Sequence, residues 1–265
     1  MTMTPTDQPP NDPDLPSGAS RPPDRTVAFG PRATEVYDVW DPTAPTAEAG
    51  LTVVLVHGGF WRAAYDRHHL EPLATALAAN GFTVASLEYA RIGMPGGGWP
   101  GTGADVAAAM AALAADPDLP QRFVAVGHSA GGHLVLWLGS RPDVPGLLGV
   151  ISLAGACDLR LVDDLGLSDG VARELVGGSP GSDPDAWRDA DPAVQVLQVP
   201  ATLLHGTDDD IVPLTVSTTY AGSRTSADAA VRLLVLPEAD HFAVIDPGHP
   251  AYREVVREIR ALAHP

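Results

Sequence analysis

Four short stretches of this chain carry the residue types of nucleophilic acyl chemistry, and each follows an apolar run. The first is Gly127-His128-Ser129-Ala130-Gly131, between the run Phe123–Val126 and an Ala/Leu/Val-rich stretch. A serine between two glycines at a strand-to-helix turn is pushed out of the sheet edge as an exposed hydroxyl. The turn is tight, so a side chain at either glycine would crowd the neighbouring strand or helix. The same turn aims the Ala130 N–H, at a helix start, toward charge developing on an attacked carbonyl oxygen.

The second stretch is His57-Gly58-Gly59-Phe60-Trp61, after the run Leu51–Val56. Paired glycines there let backbone N–H groups approach a ligand closely. We assign the N–H groups of Gly59 and Phe60, with Gly58 alongside, to an oxyanion hole shared with Ala130. His57 reads as a brace for this loop. Trp61 is the candidate substrate-binding side chain, with packing beneath the loop as the alternative.

The third stretch is His205-Gly206-Thr207-Asp208-Asp209-Asp210-Ile211-Val212-Pro213, after the run Ala201–Leu204. Three adjacent aspartates compete for the acid of a triad. The pattern H-G-x-x-D-x-x-V-P selects Asp209, and Asp208 and Asp210 then read as a solvated, N-capping turn. The fourth is Ala239-Asp240-His241-Phe242, beyond the last apolar run, Arg232–Leu236. His241 stands where the base belongs, while His68, His69, His249 and His264 read as surface residues. The chain order Ser129, Asp209, His241 is the one expected when a serine, an acid and a base are hung on an α/β-hydrolase sheet.

The elements that must position these groups follow from periodicity. Thr26–Phe29 and Thr34–Trp40 alternate like two hairpin strands. Six continuous apolar runs follow, at Leu51–Val56, Thr83–Leu87, Phe123–Val126, Gly149–Leu153, Ala201–Leu204 and Arg232–Leu236. Such runs fit strands buried on both faces. Helix-like stretches at His69–Asn80, Gly103–Ala115, Gly131–Gly139, Thr215–Ser223 and Tyr252–Ala263 separate them. The expected fold class is therefore α/β, an eight-stranded, mostly parallel sheet with helices on both faces. Residues 1–25, rich in Pro, Asp, Thr and Ser, are expected to be a disordered tail. Residues 26–265 form the domain, with a polar loop at Ala44–Gly50. A short polar insertion at 158–195 carries weak helical pieces around Gly170–Val176 and Pro184–Trp187. It either roofs the site or is a surface excursion.

Composition narrows the function. The 265 residues carry a formal charge of -17, which repels nucleic acid and anionic membranes. Every one of the 16 basic residues is Arg, so a lysine Schiff base and a P-loop lysine are both excluded. Only an arginine, for example Arg62 or Arg91, is left to bind a substrate carboxylate. The lone Cys157 makes no internal disulfide. There is no HExxH motif and no Cys/His cluster at ligand spacing, so neither a metal nor another cofactor is expected. Residues 1–20 contain no basic residue and no apolar run, which suggests a cytoplasmic protein. The expected partner is a small-molecule acyl substrate, and a homodimer is compatible with the sequence.

HGGFW, GHSAGGH and ADHF together resemble the kynurenine formamidase (arylformamidase) branch of the α/β-hydrolases, which adjoins the hormone-sensitive-lipase-like esterases. The resemblance covers about residues 26–263. It implies a triad at Ser129, Asp209 and His241, an oxyanion loop at Gly58, Gly59 and Phe60, and hydrolysis of N-formyl-kynurenine and small aryl esters. Two other expectations stand beside it: a generic short-chain carboxylesterase, and a non-catalytic binding protein on a hydrolase fold.

Overall fold

The computed structural model describes residues 19–43 and 50–264. Eight strands form one sheet: β1 (Arg25–Ala28), β2 (Val36–Trp40), β3 (Thr52–Val56), β4 (Thr83–Leu87), β5 (Phe123–His128), β6 (Leu147–Leu153), β7 (Ala201–Gly206) and β8 (Val231–Leu236). Their spatial order is β1-β2-β4-β3-β5-β6-β7-β8. The pairs β1–β2 and β2–β4 are antiparallel and all others are parallel. This is the eight-stranded, mostly parallel sheet expected from the alternation of runs.

The central strands are apolar at every position because both faces are covered. Val53 and Leu55 of β3 enter one apolar cluster, with Leu73 and Leu77 of α1 (Glu71–Ala79) and Val255 and Ile259 of α8 (Ala251–Ala263). Val54 and Val56 point the other way, to Val106 and Met110 of α2 (Gly101–Ala115) and Leu134 and Leu138 of α3 (Ala130–Gly139). Every residue of α3 is buried. A helix apolar all round needs cover on its outer side as well.

The 158–195 insertion helps provide that cover. It folds into α4 (Leu159–Asp164), α5 (Val171–Val176) and α6 (Pro184–Ala190). Leu159, Val162, Leu175 and Trp187 join the same apolar cluster as α3, and the Trp137 indole N–H donates to Asp189 O at 2.9 Å. The insertion is therefore part of the core, not a surface excursion. α4 went unpredicted because six residues are too few to show a helical period; Asp158 starts it by accepting from the Leu161 N–H at 2.9 Å. The last helix before the C-terminal half-site is α7 (Thr215–Gly222).

The domain also starts earlier than residue 26. The Arg21 N–H donates to Thr75 Oγ1 at 3.1 Å, and the Trp40 indole donates to Arg21 O at 3.0 Å. The rest of the expected tail, residues 1–18, and most of the expected loop, residues 44–49, lie outside the described residues. Among the described residues no helix is long and apolar enough to cross a membrane.

Candidate active site

β3 pairs with β4 on one side and β5 on the other. The chain leaving β3 turns one way and the chain leaving β5 the other, which opens a crevice at their carboxyl ends. His57–Trp61 and Ser129 come out side by side into it. Ser129 has φ 54° and ψ −115°, a conformation that costs an L-residue about 1–3 kcal/mol. Its backbone is held from both sides. The Ser129 N–H donates to Leu153 O at 2.8 Å, and Ser129 O accepts from the Ala156 N–H at 3.2 Å. A Cβ on Gly131 would collide with Val56 O, and one on Gly58 would stand 3.0 Å from both His128 O and Ser129 Cβ. The two loops touch only because these residues lack side chains.

The His57–Trp61 loop is pinned from behind. Phe60 and Trp61 both have positive φ, 49° and 56°. The Ile92 N–H donates to Trp61 O at 2.8 Å. His57 is fully buried, with Nε2 2.9 Å from Glu88 Oε1 and its ring stacked on Tyr89 at 4.2 Å. The Tyr89 hydroxyl donates to His57 O at 2.8 Å. Burial alone would raise the Glu88 carboxyl, but His57, Arg91 and the Tyr89 N–H hold it down at about 2. His57 thus braces the loop, as its position in the motif suggested.

Across the crevice, Asp209 Oδ2 lies 2.8 Å from His241 Nδ1, and both residues are buried. Asp209 Oδ1 accepts from the N–H groups of Ile211 at 3.0 Å and Val212 at 2.8 Å. Burial would push this carboxyl up, but the hydrogen bonds from His205, His241 and Val212 hold it well below the usual carboxylate range. Asp208 and Asp210 are exposed. Of the three aspartates, Asp209 is the one the fold brings to His241.

A pocket of about 100 Å³ joins the two halves, lined by Gly59, Phe60, Tyr65, His69, His128, Ser129, Ile211, His241 and Phe242. Three features differ from the sequence-based expectation. Trp61 does not line it; the indole is fully buried and packs edge-on against His133 at 5.1 Å, so packing beneath the loop is its place. His69, expected at the surface, is half-buried and forms part of the wall. Burial and the neighbouring His57 push its ring down to about 3. The 158–195 insertion contributes no lining residue, so it does not roof this pocket. Tyr65, Ile211 and Phe242 were not singled out in the sequence. Ile211 lies two residues from Asp209 and Phe242 next to His241, and that proximity along the chain is the sequence signal for both as wall residues.

The family model for BD-FAE matches residues 37–222, most of the domain and all of the elbow. The chain belongs to the BD-FAE family. This BD-FAE chain is 26% identical over 245 residues to Esterase LipC of Mycobacterium tuberculosis, a match covering 84% of the chain. The chain spans 60% of the length of that relative. Among solved structures it is similar to a truncated carbohydrate esterase from gut microbiota, with TM-score 0.76 and 18% identity over 94% of this chain and 99% of that one. It is equally similar to Esterase B from Lactobacillus Rhamnosis, with TM-score 0.76 and 16% identity over 92% and 87%. At these identities the structures share the α/β-hydrolase fold.

Proposed function

We propose that the chain is a serine carboxylesterase for short, uncharged acyl groups, with Ser129 as nucleophile, His241 as base and Asp209 as acid. The observation that carries this reading is the buried Asp209–His241 hydrogen bond on the wall of the pocket that also holds strained Ser129. His241 takes the Ser129 proton as Oγ attacks the ester carbonyl, and Asp209 fixes the imidazole tautomer and stabilises its positive form. The N–H groups of Gly59, Phe60 and Ala130, with Gly58 beside them, receive the oxyanion. His241 then protonates the leaving alcohol, and water repeats the cycle on the acyl-enzyme. The relatives named as esterases support ester cleavage.

The size of the pocket supports a short acyl chain. N-formyl-kynurenine, with a formyl group, would also fit on size, and the formamidase reading stays as the rival. Its amino-acid end weighs against it. Among the described residues, no Arg, Asp or Glu lines the pocket. Arg62 is engaged by Glu174 at 3.1 Å and Ser168 O at 2.9 Å, and buried Arg91 by Glu88 at 3.6 Å. Neither arginine is left for a substrate carboxylate there.

The test is a substrate panel with a nucleophile control. Ser129→Ala should lower kcat by roughly 10⁴–10⁶ and abolish fluorophosphonate labelling. p-Nitrophenyl acetate should exceed both long-chain esters and N-formyl-kynurenine in kcat/KM. A ratio over the formamide of about 10³, or roughly 4 kcal/mol, is expected. Parity between the two would hand the protein to the formamidase reading.

A further inference from the structure

Asp209 accepts from one more side chain than a triad requires. Its Oδ2 faces His241 Nδ1 at 2.8 Å and also His205 Nε2 at 3.1 Å. The Ile211 and Val212 N–H groups occupy Oδ1, and Oδ2 takes the His241 N–H and shares the His205 N–H with Val212 O. The His205 ring is fully buried, and its partners fix its proton. Nε2 faces two acceptors, Asp209 Oδ2 and Val212 O at 2.8 Å, so Nε2 carries the hydrogen. Nδ1 lies 2.7 Å from Ser217 Oγ on α7, whose hydroxyl therefore donates. The Cys157 thiol stands behind it, with Sγ 3.7 Å from Ser217 Oγ. The thiol donates to Gly155 O at 3.3 Å, so the chain of donors runs from Ser217 on α7 through His205 of β7 into the acid.

We propose that His205 is a positioning residue for the reaction, holding Asp209 in register and drawing charge from the oxygen that faces His241. This inference rests on the serine-esterase reading above. A carboxylate shared between two imidazoles attracts the positive form of either one less strongly than a carboxylate held by one. His241 then gives up its proton to the leaving group more readily, and Asp209 is kept from taking it. The other groups facing the pair do not supply this effect. His128 packs against His241 at 4.8 Å between ring centres, but burial and the neighbouring His241 and His69 rings keep it uncharged. His69 lies behind His128 at 5.8 Å. The flanking carboxylates of Asp208, Asp210 and Asp240 are exposed.

The test is the pH profile of kcat/KM on p-nitrophenyl acetate. His205→Leu removes the second donor, so the acid limb should move up by about half a pH unit or more. His205→Gln, whose side-chain N–H can reach the same oxygen, should return the limb toward the parent position. Ser217→Ala frees Nδ1 to carry the hydrogen, and should move the limb the same way by less. It also decides the matter if His205→Leu does not fold. An acid limb unmoved in the folded variants, with kcat merely lowered, overturns the proposal. Asp209→Asn separates the two levels. If it keeps full activity, the triad reading itself falls; if it loses activity while the limb stays put in the His205 and Ser217 variants, only the role of His205 falls.

Discussion

Two buried carboxylates close two regions of the molecule, and they are held in opposite ways. Glu88, at the end of β4 behind the His57–Trp61 loop, faces His57 at 2.9 Å, Arg67 Nη1 at 3.6 Å and Arg91 Nη2 at 3.6 Å. Asp191, which ties the 158–195 insertion together, receives backbone N–H groups from Leu159 at 3.2 Å and Ala193 at 3.0 Å. Its ion pairs are none among the described residues, and its Oδ2 is buried without a partner. Glu88 is accordingly held down at about 2, whereas burial pushes Asp191 up to about 6. The loop beside the nucleophile is braced by charge. The insertion rests on apolar packing with ion pairs such as Arg173–Asp163 at its edge, and its buried Asp191 sheds its charge easily.

Removing the charged brace should have the largest effect. Glu88→Gln leaves Arg67 and Arg91 facing a neutral group, and breaking a buried pair in this way costs about 3–5 kcal/mol. Thermal unfolding should show the loss. The activity of the folded fraction should fall too, because the brace positions the oxyanion loop. Since folding lowers the pKa of Glu88 from 4.5 to about 2, its stabilisation is complete above about pH 4.5 and lost as pH falls toward 2. The gap in Tm between parent and variant should close over that window. A constant gap would break the comparison.

Trp187→Ala tests the other region. The ring is buried in the shared cluster, and its N–H donates to Gly178 O at 3.0 Å. Truncation should cost about 3 kcal/mol or more in unfolding free energy. kcat per folded molecule should be nearly unchanged, because the insertion does not line the pocket. A fall in kcat to match would show that the insertion reaches the site after all.

The smallest effect is expected at Asp191. Folding raises its pKa from 3.8 to about 6, so the parent loses stability as pH rises from near 4 through 6. Asp191→Asn keeps an acceptor for the two N–H groups and removes that dependence. Near pH 8 it should equal the parent or exceed it by about 1–2 kcal/mol in denaturant titrations. A loss at Asp191→Asn as large as that at Glu88→Gln would mean the two carboxylates are held alike.

The sequence alone determined what depends on neighbours along the chain. Continuous apolar runs separated by helical stretches specified a parallel sheet covered on both faces. The spacing of glycines around Ser129 specified a sharp turn, and the order Ser129, Asp209, His241 specified which strand ends carry the groups. Tertiary structure decided what depends on register between distant segments. It turned Asp209, the aspartate the motif pattern favours, toward His241 and left Asp208 and Asp210 exposed. It sent Trp61 beneath the loop and brought His69 to the pocket wall, because the side of the 3₁₀ turn Arg67–Leu70 that carries His69 faces His128 beside the elbow. It also set His205 against Asp209, a contact that a strand-end histidine does not announce. The insertion looked polar because its apolar residues are spread over three short helices; only their assembly against α3 makes them one buried face.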